Sequence, residues 1–90
     1  MFVTVLHTVH DPVTFQERGH AMTSRVPAGV RVHHFLPSTD LTRAICLWEG
    51  PAVAGVSAHV DANLGDASSQ DYFVVADEYA LGLPTRQEVA

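Results

Sequence analysis

Two dipeptides, Asp11-Pro12 and Gly50-Pro51, cut this chain into two halves that run alike. Each closes a stretch of strand character and opens one of helical periodicity. Residues 2–9 are rich in valine and threonine and read as a strand. Asp11 then suits the helix cap and Pro12 the first helical position, where a missing N–H costs nothing. Phe15 and Met22, seven apart, share a face of the helix that follows, although Gly19 weakens its second half. Pro27-Ala28-Gly29 forms a loop. Residues 30–36 and 43–49 read as two strands joined through Pro37-Ser38-Thr39-Asp40, which makes a hairpin. After Gly50-Pro51, Val53, Val56, Val60 and Leu64 fall in a narrow arc at 100° per residue, the buried stripe of a second helix ending at Gly65. A last strand is expected over residues 71–76.

The order is β-α-β-β-α-β. It predicts an α+β domain over residues 1–76, followed by a partly ordered C-terminal tail, 77–90. Such a chain folds as a split β-α-β arrangement: a four-stranded antiparallel sheet in spatial order 4-1-3-2 with both helices on one face. The strands are apolar at both parities. Val3 and Val5 stand against Phe2 and Leu6, and Ile45 and Leu47 against Cys46 and Trp48. Two helices cover only one face, so the other is expected to pack on a second copy of the chain. Composition agrees, with 47% hydrophobic and 17% charged residues in a domain too small to bury them all alone. A homodimer follows as the expectation.

This organisation, with C-L-W-E-G-P at 46–51, a valine-striped helix and then D-Y-F-V-V, resembles the dimeric α/β-barrel superfamily, whose fold is ferredoxin-like. That group includes antibiotic-biosynthesis monooxygenase-like, stress-responsive barrel and small nickel-binding proteins. The resemblance spans about residues 2–76 and rests mostly on core pattern. It implies a sheet-to-sheet dimer and, by analogy with the monooxygenase-like members, cofactor-independent chemistry with a histidine base.

Several functions are excluded by charge. The net charge is −5, there is no lysine, and Arg18, Arg25, Arg31, Arg43 and Arg86 are scattered. Such a surface neutralises no phosphate backbone and no anionic membrane, so neither nucleic acid nor membrane is an expected partner. The single Cys46 rules out an intrachain disulfide and reads as a small core hydrophobe. Residues 1–7 lack a basic segment and a small-residue cleavage site, and no apolar stretch reaches about 18 residues, so a soluble cytoplasmic protein is expected. No nucleophile elbow, phosphate loop, dinucleotide fingerprint or carboxylate pair occurs.

What remains is histidine, six in 90 residues. The strand directions gather His7, His10, His33, His34, His59, Asn63 and Tyr72 at one sheet edge, leave His20 solvated, and send Glu49 to the opposite edge. Neighbours on a strand point to opposite faces, so His33 and His34 do not chelate one ion together; one should face the helices and the other the partner. The metal candidates are therefore His7, His33 or His34, and His59, with Tyr72 as the alternative to His59, and nickel, copper or zinc all suit imidazole. His7 and His34 are the candidate catalytic bases, and Trp48, Asn63 and Tyr72 the residues that would bind and orient a ligand. Asp61, Asp66, Asp77 and Glu78 read as solvated surface. Three functions are carried forward: binding of a small apolar ligand or transition metal, a cofactor-free enzyme with a histidine base, and an interaction dimer without a site.

Overall fold

The computed structural model describes residues 1–85; the last five residues of the expected tail, Arg86 among them, lie outside the described residues. Strand β1 (Phe2–Val9) leads into helix α1 (Pro12–Ser24), the hairpin β2 (Arg31–Pro37) and β3 (Arg43–Glu49), helix α2 (Val53–Leu64) and strand β4 (Ser68–Val74). Single 3-10 turns follow α2 at Gly65–Ala67 and β4 at Asp77–Tyr79. The sheet order is β2-β3-β1-β4 and every neighbouring pair is antiparallel. This is the ferredoxin-like α+β arrangement expected from the order of elements.

The helix starts and stops follow from local chemistry. Asp11 caps α1 by accepting from the Thr14 backbone N–H at 3.2 Å and the Thr14 hydroxyl at 2.7 Å. Gly19 does not interrupt α1. Its bare Cα lets the Phe35 ring approach so closely that an added Cβ would sit 3.1 Å from the ring. The glycine is a packing device between α1 and β2. Gly65, at φ +55°, ends α2 in a conformation L side chains rarely adopt.

The core lies between helices and sheet. Phe15 and Met22 from α1, and Val56, Val60 and Leu64 from α2, are buried against Val3, Val5, Ala44, Cys46 and Trp48. Val53, the first residue of the predicted stripe, is half-buried. The last strand begins three residues earlier than expected, at Ser68, because Ser68, Ser69 and Gln70 pair with Val9, Thr8 and His7. Their hydroxyl and amide groups find partners, so polarity did not end the strand. No helix among the described residues is long and apolar enough to cross a membrane.

Candidate functional site

The two faces of the sheet divide the expected site residues. His7 lies on the helix side, 2% exposed, with its ring edge-on to Phe15. Its Nδ1 is 3.2 Å from the Gln70 amide oxygen and its Nε2 is 3.1 Å from the Cys46 sulfur. The Gln70 oxygen also accepts from the Ser68 hydroxyl, and its NH2 group donates to Asp61 at 3.3 Å. That orientation makes Nδ1 the protonated nitrogen, donating to Gln70, and leaves Nε2 to accept from the Cys46 S–H.

This pair is neutral on both sides. Burial pushes the His7 pKa below its ordinary value, and the Gln70 hydrogen bond opposes that only in part. Burial likewise pushes the Cys46 thiol up to about 12. A nucleophilic cysteine needs the reverse shifts, a stabilised thiolate beside a charged imidazolium. Trp48 Nε1 meets no acceptor in hydrogen-bonding geometry among the described residues, although its N–H opposes the rise of the Cys46 pKa. His7, Cys46 and Trp48 are core.

The other helix-side candidates act as staples. His59 Nε2 donates to the Met22 carbonyl at 2.9 Å and so ties α2 to the end of α1, while Asn63 Nδ2 lies 3.3 Å from His59 Nδ1. The Trp48 ring packs edge-on against His59. Tyr72 donates to Asp61 at 2.6 Å, joining β4 to α2; burial, first, and then that carboxylate raise its pKa. Asp61, read as solvated surface, is therefore the acceptor that closes this side of the domain. His10 reaches Ser69 at 2.6 Å and remains exposed.

The histidine doublet is placed differently from its expectation. The β2–β3 register shifts between Val32 and His34: Val32 pairs with Trp48, His34 with Leu47, and His33 has no partner of its own. Such a bulge breaks the two-residue alternation. His33 packs its ring on Phe2 at 5.6 Å and bonds Glu49 at 2.9 Å, and His34 shares the Leu47 face. Both imidazoles thus belong to the face without helices, and neither faces the helix layer. Glu49 does not stand apart from the histidines either. Arg31 pairs with Glu49, which puts His33 beside the end of β3, whereas His7 pairs with Ala44 near its start. The candidate ligands His7, His33, His34 and His59 consequently diverge. Among the described residues no three His, Cys, Asp or Glu side chains are placed to hold one metal ion.

The helix-free face carries a different feature. Leu36, Ile45, Leu6 and Asp71 form one row across all four strands, and Arg43 and Thr8 begin the next. Leu6, Leu36, Ile45 and, further along, Phe73 are 39%, 59%, 47% and 49% exposed. A recess of about 520 Å³ opens here, lined by Leu6, Thr8, Leu36, Ile45, Arg43 and Asp71 with the hairpin residues Pro37 and Ser38. His7 also borders it, with its ring packed against Phe15 and Cys46 on the other side of the sheet. The turn beside the recess is fixed by Asp40, which accepts from the Thr42 hydroxyl, the Thr42 N–H and Ser38; these bonds, the Thr42 hydroxyl's first, pull its pKa down to about 2.

Of the residues bordering the recess, sequence reasoning named only His7 as a site. The signal available was the second apolar parity of β1 and β3, Leu6 and Ile45 among it. No protein-family model matches the chain, and no curated protein matches it.

Proposed function

We propose that this protein binds a small molecule through an apolar surface on the helix-free face of its sheet, with a second copy of the chain closing over that face. The observation that carries the reading is the recess whose floor is Leu6, Leu36 and Ile45, side chains that no helix covers. Its volume falls in the range of about 300–1,000 Å³ common for small-molecule sites. The hydrophobic share of the composition, and the resemblance of residues 2–76 to the dimeric α/β-barrel superfamily, support the same arrangement. A metal-binding function loses its support because the histidines divide between the two faces. A base-catalysed one through His7 loses support because its ring is buried against Phe15 and the Cys46 thiol.

The test is amide-shift mapping of the 15N-labelled chain with two neutral aromatic fragments, indole and 1-naphthol. Shifts are expected at Leu6, Leu36, Ile45 and the β2–β3 turn. Ile45→Trp, which fills the floor, should weaken binding about tenfold or more. Shifts confined to the helix layer around His7 and His59, or none, would contradict the reading.

A further inference from the structure

The recess carries two charges of opposite sign, and neither is satisfied within the described chain. The Arg43 guanidinium forms no hydrogen bond or ion pair with any described residue, although its charge contributes to the lowered pKa of Asp40. The Asp71 carboxylate has no such partner either. Both are exposed and both line the recess. They are not placed to pair with each other. Arg43 is opposite Thr8, Asp71 is opposite Leu6, and β1 runs between their strands. Two strand spacings and two residues of rise put their Cα atoms about 12 Å apart. The longer arginine side chain closes part of that span, and the apolar surface of Leu6 and Ile45 fills what lies between.

Resting on the reading of this recess as the ligand site, we propose that its ligand is a monocarboxylate built on a single ring, with a hydrogen-bond donor at the far end. Arg43 takes the carboxylate, for which its planar fork suits two parallel bonds. Asp71 accepts from the donor, a hydroxyl or an amine. The ring lies on Leu6 and Ile45. Charge sets the class from both sides. A dicarboxylate would place its second anion against Asp71, and a dication would place its second charge against Arg43. A phosphate dianion would meet one arginine in a chain of net charge −5. The Thr8 hydroxyl, also at the recess, adds a neutral partner to the same ligand.

The probes are 4-hydroxyphenylacetate, its neutral amide 4-hydroxyphenylacetamide, and phenylacetate, titrated into the full chain and followed by amide shifts. The hydroxy acid should bind about tenfold or more tightly than the amide, the size of one lost hydrogen bond to a charged group. Arg43→Gln should erase that difference. Asp71→Asn should narrow the advantage of the hydroxy acid over phenylacetate. Acid and amide binding the wild type equally would overturn the assignment, as would failure of all three probes. Indole and naphthol bound at Leu6 and Ile45 would then leave the recess itself standing as a site; their failure as well would remove it. If Arg43→Gln instead turns a dimer into a monomer while the preference for acid over amide survives, Arg43 serves the contact between copies and the ligand assignment falls.

Discussion

Phe15→Ala should cost about 3–5 kcal/mol of stability, the range for removing a fully buried aromatic ring. Phe15 is 1% exposed and occupies the centre of the helix–sheet contact. Its ring stacks on Phe35 at a centroid distance of 5.8 Å and meets His7 edge-on at 5.3 Å. It therefore joins α1 to the middle strand β1 and to the edge strand β2 at once. A domain of this size has only about 5–15 kcal/mol in total, so the variant should unfold at a much lower urea concentration. Val13→Ala is the natural control, because Val13 on the same helix is exposed and should change little. A loss under about 1 kcal/mol for Phe15→Ala would mean that the ring does not seal this layer.

The second large effect is a loss of stability on mild acidification, and it belongs to His7. Burial depresses its folded-state pKa, while in the unfolded chain it titrates near the ordinary value of about 6.5. The unfolded state therefore binds the proton more readily. The stabilisation from keeping this imidazole neutral is complete above about pH 6.5. It declines as pH falls below that value, by up to about 1.4 kcal/mol per pH unit, until the folded-state pKa is reached. Asp11 and Asp40 act in another window. Their hydrogen bonds lower their pKa values, so their contributions disappear only below the ordinary carboxylate value of 3.8. His7→Leu should flatten the stability profile between about pH 7 and pH 5. It also leaves the Cys46 thiol and the Gln70 oxygen each short of a partner, so its stability at pH 7 should fall. Urea midpoints measured across that range decide the matter: an unchanged slope in His7→Leu would assign the acid sensitivity elsewhere.

The fold was legible because its punctuation is chemical. Asp11 and Pro12 open α1 in the structure with the cap that their side chains predict, and the stripe at Val56, Val60 and Leu64 is the buried face of α2. The site was not legible, and two residues show why. The alternation of side chains along a strand assigned His33 and His34 to opposite faces, but a single bulged residue moves both to one. Nothing in the string V-H-H-F announces that bulge, which comes from the pairing of β2 with β3. The start of β4 was missed for a related reason. Gln70 looks like a loop residue until His7 and Asp61 supply its partners, and Ser68 does so until Gln70 accepts from its hydroxyl. Polar groups gathered at a sheet edge were thus read as a site, when they bond to neighbouring elements: His7 to β3 and β4, His59 to the end of α1, and Tyr72 to Asp61 on α2. The surface left uncommitted is the apolar one, and its residues differ from core residues only in having no helix above them.

That the helix-free face is a covered, working surface can be tested most directly by the mass of the full chain in solution. Sedimentation equilibrium at micromolar concentration should return twice the 9.7 kDa chain mass for the wild type, and a single-chain mass for Ile45→Asp, which places a carboxylate in the middle of the apolar row. A wild type that sediments as one chain over that range, with Leu6, Leu36, Ile45 and Phe73 left open to water, would contradict the account.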